Sequence, residues 1–346
     1  MRRRFDRDRR PASGPLPSRP TLLLSRADVR ALLDMDSCIA AVEAAFRAHA
    51  EGATLPAGAL GTHVADGGFH VKAAGLTRDP ARYVAKINAN FPGNPSRHGL
   101  PTVQGVVALF DAANGTLLAL MDSMEITTLR TAAATAVAAK HLARSDARSL
   151  AILGCGVQGR SHLRALARVR PIERVFAWDG AHDAAEIYAR EMEAELGCNV
   201  VATTSYRDVL ARCDMIVTCT ASRSPLLHAG DVAAGTFVAG VGADSETKQE
   251  LAPDLLARST VIVDVLDQCA RFGDLHHSLD AGAMRREDVH AELADVVGGR
   301  RAGRRSSEEI TVFDSTGTAL EDVAAAAIVY ERALASGHQR QIALGD

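Results

Sequence analysis

The spacing of apolar and polar residues divides the chain into two regions with different hydrophobic patterns. In the first, TLLL reads as a strand, and SRADVRALL and DSCIAAVEAAFRAHAEG read as amphipathic helices with Ser25 and Asp36 as N-caps. From about residue 62 to 121 the pattern is strand-like, and its last part predicts a hairpin because turn residues at 113–115 separate two β-rich runs. The first region is therefore predicted to be an α+β unit.

A different rhythm follows the alanine-rich helix predicted over residues 125–144. Short, wholly apolar strands alternate with helices there, which is typical of parallel βαβ units covered on both faces. We expect a Rossmann-type doubly wound sheet over 127–310 and a second domain over 21–126 together with 311–346, because the last long helix should pack back on the first region. The predicted strands are SLAILG, RVFAWD, NVVAT, MIVTCT, TFVAGVG and TVIVDV.

Composition narrows the function classes. The 346 residues carry a formal net charge of −3, so nothing points to nucleic acid or to an anionic membrane surface. The apolar runs are short and broken by glycine or charge, which argues against a transmembrane span. The six cysteines lack CxxC spacing, so we expect neither a zinc knuckle nor a disulfide framework but buried thiols in a reducing cytoplasm.

The first twenty residues, MRRRFDRDRRPASGPLPSRP, are rich in arginine and lack the apolar segment of a secretory signal. We predict a disordered tail over residues 1–20, with an arm that binds nucleic acid or a protein partner as the alternative.

The segment LGCGVQGR has the pattern of a dinucleotide-binding loop. Gly154, Gly156 and Gly159 follow a predicted strand and open a helix, whose N-terminus stabilises a pyrophosphate. Asp179 ends the next strand, where a carboxylate accepts hydrogen bonds from the adenosine ribose. Because this carboxylate repels the extra phosphate of NADP, NAD is favoured. The alternative is a glycine-rich turn that binds another ligand.

Five segments in order carry a family resemblance: YVAKINANFPGNPSRHGLPT, LRTAAATAVAAKHLAR, LGCGVQGR, VGADSETKQEL and VFDSTGTALED. From about residue 21 to 336 the chain resembles the ornithine cyclodeaminase/μ-crystallin family. The resemblance implies NAD(P)(H)-dependent interconversion of small α-amino acids and their imines. It also implies a homodimer formed through the β-rich first domain, which would bind the substrate.

The resemblance assigns roles to individual residues. It implies that Lys86 and Arg130 contact the substrate carboxylate, that Asp244 together with Lys86 performs acid/base chemistry, and that Thr316 borders the substrate pocket. The residues expected to bind the cofactor are Thr102, Arg130, Gly154, Gly156, Val157, Gln158, Gly159, Asp179, Thr220, Val241, Gly242, Lys248 and Ser315.

Each assignment has a plainer interpretation. Arg130, Lys86 and Lys248 could be solvated surface charges, and Asp244 could cap a following helix whose body is predicted to begin near Gln249. Ser245 or Thr247 would be closer caps for that helix. The paired His276 and His277 do not suggest a metal site, because adjacent side chains diverge and no carboxylate cluster accompanies them.

Two departures from the family pattern bear on the substrate. Residues 57–59 carry no charge where many relatives have a carboxylate-binding arginine, and His70 stands where cyclodeaminases have a glutamate for the distal amine of ornithine. His70 and Lys72 lie two apart on a predicted strand and share a face, which would suit a second anion. The alternative is that both side chains simply pack or face solvent.

The sequence thus predicts an NAD(H)-dependent oxidoreductase that transfers a hydride to or from the α-carbon of an amino or imino acid. The alternatives are an ornithine cyclodeaminase and a non-catalytic NAD(P)- or ligand-binding protein.

Overall fold

The computed structural model describes residues 20–338 and 340–344. The tail predicted over residues 1–20 lies, apart from Pro20, outside the described residues.

The first region forms a seven-stranded sheet with helices on one side. The strand order is β17-β1-β6-β5-β4-β3-β2, and all neighbours are antiparallel except β1 and β6. The predicted hairpin is confirmed, since β5 and β6 pair across the turn at 113–115. The elements of this part are β1 (Thr21–Leu24), α1 (Arg26–Leu32), α2 (Met35–Ala50), β2 (Thr54–Val64), β3 (Gly67–Leu76), β4 (Arg82–Asn90), α3 (Asn94–His98), β5 (Val103–Asp111), β6 (Leu117–Asp122) and α4 (Ser123–Leu142).

One of the two predicted helix caps is correct. Ser25 caps α1 in a reciprocal arrangement with Asp28. The prediction of Asp36 as the cap of α2 is wrong: Asp34 is the N-cap, and its side chain accepts a hydrogen bond from the Ser37 amide at 2.9 Å. Asp36 lies in the first turn, where a negative charge still interacts favourably with the helix dipole.

The second region forms a parallel sheet of eight strands in the order β15-β14-β16-β12-β10-β7-β8-β9. The order reverses between β7 and β10, and in such sheets ligands bind outside the carboxyl ends of the strands at this point. The Rossmann-type prediction is confirmed. The remaining elements are β7 (Ser149–Leu153), α5 (Val157–Leu166), β8 (Arg174–Trp178), α6 (His182–Leu196), β9 (Asn199–Ala202), α7 (Arg207–Leu210), β10 (Met215–Thr218), β11 (Arg223–Leu227), β12 (Phe237–Gly240), β13 (Gln249–Leu251), α8 (Pro253–Arg258), β14 (Thr260–Val263), α9 (Leu266–Phe272), α10 (Asp274–Asp280), β15 (Ala291–Glu292), α11 (Leu293–Val297), β16 (Thr311–Asp314), α12 (Ala319–Ala335) and β17 (Gln341–Ile342).

Two predictions about this region need correction. The helix expected to begin near Gln249 is absent; residues 249–251 form β13 and pair with β11, and the next helix begins at Pro253. Asp244 therefore does not cap a helix, and neither do Ser245 and Thr247. The boundary at residue 311 assigned β16 to the first domain, but β16 lies between β12 and β14 in the parallel sheet, where all four of its residues are buried.

Two helices connect the sheets. As expected, α12 packs against α2, α4, β3 and β4 of the first region. The alanine-rich α4 is buried along most of its length and contacts elements of both regions. Small side chains allow these helices to approach closely, so the two regions share one continuous core.

The described residues contain no helix that is both long and apolar enough to cross a membrane. Within the same residues, no group of three or more His, Cys, Asp or Glu side chains is placed to hold a metal ion.

Candidate active site

The glycine loop after β7 has the shape that a dinucleotide requires. Gly154 has φ of 106°, and a Cβ atom there would lie 2.7 Å from the Cys219 carbonyl oxygen. A side chain at Gly159 would collide with the Gly154 carbonyl, so this glycine allows α5 to pack close to β7. By contrast, the space beside Gly156 is open, with no atom within 4 Å of the Cβ position. The opening lies at the N-terminus of α5, which favours an anionic group.

Asp179 lies beside this loop at the end of β8. Its carboxylate accepts hydrogen bonds from the amides of Cys155 at 2.8 Å and Ala181 at 3.0 Å. Residues 180–189 contain no lysine or arginine that could bind an additional phosphate. The nearby Arg160 is paired with Glu191 at 2.7 Å.

A cavity of about 180 Å³ lies at the carboxyl edge of the parallel sheet, against the first region. Three of the side-chain oxygens around it, Thr127 Oγ1, Gln158 Oε1 and Ser315 Oγ, are buried and have no hydrogen-bond partner among the described residues. Buried polar atoms without partners are rare, so these oxygens indicate a polar ligand. The sequence-predicted residues that line the cavity are Arg130, Gln158, Thr220, Val241, Gly242, Asp244, Lys248, Ser315 and Thr316.

Glu250, which the sequence analysis missed, holds two of the cavity-lining loops together. One carboxylate oxygen accepts from the Thr220 amide at 2.6 Å and its hydroxyl at 2.7 Å, and the other accepts from Thr218 Oγ1 and the Gly242 amide, both at 2.7 Å. The side chain is fully buried, and burial raises its pKa. In the sequence, Glu250 is marked only by its position six residues after Asp244. The segment around it was predicted to be a helix, so the residue was not recognised.

Asp244 projects into the cavity from the loop after β12. Lys248 Nζ donates to its Oδ1 at 2.6 Å, and the Asp244 side chain is 49% exposed. Enclosure in the cleft would by itself raise the pKa of Asp244, but the ion pair with Lys248 and the nearby Lys72 and His70 lower it below its usual value. The carboxylate is therefore ionised at neutral pH and can accept a proton or an N–H hydrogen bond.

Arg130 reaches the cavity from α4 and is fixed by two acids of α12. Its Nη1 donates to Glu321 at 2.6 Å, and its Nε lies 3.1 Å from Asp322. Lys86 Nζ, on β4, contacts the same Asp322 at 2.7 Å and is 3% exposed. Burial, together with Arg130, lowers the pKa of Lys86 to about 8. The sequence analysis did not identify Glu321 or Asp322. Two adjacent acids in the alanine-rich helix α12, where both are buried, are the signal that could have indicated them.

A second cavity adjoins the first, and Asp244 lines both. His63, His70 and Lys72 line it from β2 and β3, on the face turned towards the parallel sheet. Burial and the charge of Lys72 lower the pKa of His70, partly offset by Asp244. Lys72 Nζ donates to the carbonyl oxygens of Thr316 at 2.9 Å and Gly317 at 2.7 Å. The structure thus brings together His70 and Lys72 as predicted and adds His63.

Comparison with known proteins identifies the family. The family model described as "Ornithine cyclodeaminase/mu-crystallin family" matches residues 19–337. The chain belongs to the ornithine cyclodeaminase/mu-crystallin family.

Two relatives match this chain over nearly their whole length. An alanine dehydrogenase of Archaeoglobus fulgidus is 38% identical over 319 residues, covering 91% of this chain and 95% of the relative. An iminosuccinate reductase of Paracoccus denitrificans is 34% identical over 325 residues, covering 93% and 99%. The solved structure of an archaeal alanine dehydrogenase dimer with bound NAD superposes with a TM-score of 0.90 at 37% identity, covering 94% of this chain and 100% of that one.

Besides Asp179 and the three glycines of the loop described above, three residues implied by the family resemblance line neither cavity. Lys86 is enclosed behind Asp322 and lines neither cavity. Thr102 precedes β5, and its carbonyl oxygen accepts from the Phe91 amide at 2.8 Å. Val157 is 66% exposed at the start of α5, beside the glycine loop. Their roles as site residues in this family member stay predictions.

Proposed function

We propose that this family member is an NAD(H)-dependent oxidoreductase that interconverts an α-amino acid and its imine. The observation that carries the proposal is the single cavity that joins Arg130, Asp244 and the carboxyl edge of the Rossmann-type sheet. Arg130 can bind a carboxylate, and the ionised Asp244 can accept a hydrogen bond from a substrate nitrogen. Both residues face the position at which a dinucleotide binds in such sheets. The two relatives described above are named for reactions at a carbon–nitrogen bond, as an alanine dehydrogenase and an iminosuccinate reductase.

The residues present fit the cofactor. The open space beside Gly156 and the N-terminus of α5 would hold the pyrophosphate, Asp179 would accept from the ribose hydroxyls, and the unpartnered Ser315 and Gln158 oxygens would gain partners. NAD is favoured over NADP because residues 180–189 offer no lysine or arginine for the extra phosphate. When bound, the reduced cofactor would supply the hydride that reduces the C=N bond, which turns the imine carbon into the tetrahedral α-carbon of the amino acid.

The side chains of the chain itself bind, orient and move protons. Arg130 would bind the substrate carboxylate with the part of its guanidinium that Glu321 and Asp322 leave free, and Lys86 would add positive charge behind it. Asp244 would accept a hydrogen bond from the substrate N–H. A proton would then pass between this carboxylate and Lys248 or solvent. Fixing the reacting carbon in this way contributes up to about 7–11 kcal/mol in favourable cases.

The second cavity favours a substrate side chain that accepts hydrogen bonds, such as a second carboxylate. Lys72 and two histidines disfavour the ammonium tail of ornithine, although Asp244 and Glu246 also line this cavity, and the cyclodeaminase is therefore the less favoured alternative. A non-catalytic binding protein has no need of an ionised Asp244 paired with Lys248 beside Arg130, so the enzyme is preferred.

A substrate screen tests this function. The protein is mixed with NADH or NADPH and one candidate substrate, and oxidation of the reduced cofactor is followed by the loss of its absorbance. The candidates are pyruvate, glyoxylate and oxaloacetate, each with ammonia or methylamine, and cyclic imino acids. We expect NADH oxidation with at least one imine and a preference for NADH. Tight NADH binding without turnover across the panel would support the binding protein instead. Formation of proline and ammonia from ornithine with no net change in NADH would identify a cyclodeaminase.

We also propose a homodimer built on the outer face of the first sheet. Leu60, Val71, Ile87 and Val106 are direct cross-strand neighbours on this face, and Leu60 and Ile87 are 65% and 46% exposed. A contiguous exposed apolar surface of this kind marks a protein interface. The archaeal alanine dehydrogenase of TM-score 0.90 is a dimer.

We further propose a cytoplasmic setting for the protein. This agrees with its six cysteines, which are all free thiols.

A further inference from the structure

The loop Ser315–Gly317, here called the strap, follows β16 and forms one wall of the cavity. Gly317 has φ of 75°, a left-handed conformation, and a side chain there would collide with the Arg130 guanidinium. The strap backbone therefore lies directly against the group proposed to bind the substrate carboxylate. Any displacement of the strap would change where Arg130 can sit.

A buried carboxylate holds the strap from beneath. Asp264, at the end of β14, is 1% exposed. Its Oδ2 accepts from the Gly317 amide at 2.5 Å, and its Oδ1 accepts from Thr316 Oγ1 at 3.1 Å. Oδ1 also accepts from the Val265 amide at 2.7 Å and from Cys269 Sγ at 3.0 Å. The Gly317 and Val265 amides can only donate, and each faces a different carboxylate oxygen, so the site requires a group that accepts hydrogen bonds at both oxygens.

Two further side chains hold the strap from its sides. Gln268 Nε2, on α9, donates to Thr316 Oγ1 at 2.7 Å and to the Gly317 carbonyl oxygen at 2.8 Å. From the other region of the chain, Lys72 Nζ donates to both strap carbonyl oxygens. The strap is thus fixed between the parallel sheet and the first sheet.

We propose that Asp264 is a positioning residue for the substrate, acting through the strap to set Arg130 and Thr316 against the cavity. The inference rests on the proposed function, because the substrate is taken to be the imino acid that Arg130 would bind. Asp264 itself does not line the cavity, so its effect is transmitted through Thr316 and Gly317. Lys72 then serves the same strap from the first sheet, in addition to facing the second cavity.

Replacing Asp264→Asn provides the main test. In either orientation the new NH₂ group would face a backbone amide that can only donate, that of Gly317 or that of Val265, so the hold on the strap is weakened. Loss of a charged hydrogen bond predicts that KM for the imino acid rises at least about ten-fold. NADH affinity, measured by fluorescence titration, should stay within about two-fold, because the glycine loop is untouched and the Ser315 amide donates to the Gly240 carbonyl oxygen at 2.9 Å rather than to Asp264. The matched control is Asp267→Asn, on the neighbouring α9, whose side chain is 89% exposed. Parent-like kinetics in Asp264→Asn would overturn the proposal.

Conservative replacement separates positioning from mere folding. Thr316→Ser keeps the hydroxyl that donates to Asp264, so it should raise KM much less than Thr316→Val, which removes that hydroxyl. The effects of Asp264→Asn and Thr316→Val should be strongly non-additive in the double variant, because both break the same contact. Additive effects, or an equal loss of NADH and imino-acid affinity, would show a general structural defect and refute the proposal.

A readout independent of turnover keeps this inference separate from the proposed function. In the cofactor-free protein, amide hydrogen exchange of the peptide containing residues 315–317 should be faster in Asp264→Asn than in the parent and the Asp267→Asn control. Unchanged exchange would refute the strap's anchoring. If no imine is reduced by the parent chain, the proposed function fails while this exchange result still decides whether Asp264 anchors the strap.

Discussion

At the scale of single residues, Asp244 combines exposure to the cavity with an ionised carboxylate. Its pKa is lowered by Lys248, Lys72 and His70 against the opposing effect of enclosure. A carboxylate kept ionised at neutral pH is suited to accept a proton from an ammonium group or to hold an iminium nitrogen.

We predict that Asp244→Asn lowers kcat for imine reduction by at least about 100-fold, the size typical of a lost general acid/base. NADH affinity should change little, because the amide keeps the size and shape of the side chain. Steady-state kinetics and fluorescence titration give the two values. Asp280→Asn, which removes the charge of a side chain that is 71% exposed on α10 and lines neither cavity, is the control. Turnover within a few-fold of the parent would remove Asp244 from the chemistry.

Lys86 should set the alkaline limb of the pH profile. Its pKa is lowered to about 8, first by burial, so the ammonium is charged below this pH and neutral above it. With a preformed cyclic imino acid as substrate, kcat/KM for reduction should fall as pH rises through about 8, as the positive charge behind Arg130 is lost. Lys86→Arg keeps its charge at every accessible pH and should lack this limb. The same limb in both proteins would show that another group titrates.

At the scale of elements, the loops after β10 and β12 depend on one residue from β13. Glu250 accepts four hydrogen bonds from Thr218, Thr220 and Gly242, and Thr220 and Gly242 line the cavity. The carboxyl edge of the parallel sheet is therefore organised from within the protein before any ligand binds, a form of preorganisation that reduces the cost of binding.

Glu250→Gln should loosen both loops, because its amide cannot accept from four donors. We expect the free energy of unfolding to fall by about 1–3 kcal/mol, the cost of leaving a buried polar group unpaired, and the Kd for NADH to rise about ten-fold. Chemical denaturation and fluorescence titration measure these quantities. Asp280→Asn, which lies outside both cavities, serves again as the control. A parent-like Kd in Glu250→Gln would contradict the organising role.

At the scale of the whole molecule, the proposed dimer would form through the outer face of the first sheet. Replacing Ile87→Glu would place a charge at the centre of the apolar row formed with Leu60, Val71 and Val106. We expect a shift from dimer to monomer in sedimentation velocity, because an unpaired charge in an interface is strongly unfavourable. Leu334→Glu, at a position 53% exposed on α12, is the control and should leave the assembly unchanged. A parent that is already monomeric would refute the proposed dimer.

The sequence predicted those features that depend on neighbours along the chain. Alternation with period two indicated the strands of the first sheet, and short apolar strands separated by helices indicated the parallel sheet, since both patterns record which faces are buried. The glycines at 154, 156 and 159 were recognisable from their spacing: Gly154 and Gly159 meet local steric requirements, and Gly156 leaves open the space where a pyrophosphate would approach. The helix caps were predicted less well: Asp34 and Asp36 are both acidic, and only the backbone geometry selects Asp34.

Tertiary structure decided what depends on partners distant in sequence. The segment 249–251 is a strand because β11 lies beside it, and β16 inserts between β12 and β14 although its helix packs on the other region. The pairing of Lys86 and Arg130 with α12, and of Asp264 with the strap, joins residues separated by up to 236 positions. The sequence alone determined which chemical groups are available; the fold decided which of them meet, because side-chain contacts across such distances leave no periodic trace along the chain.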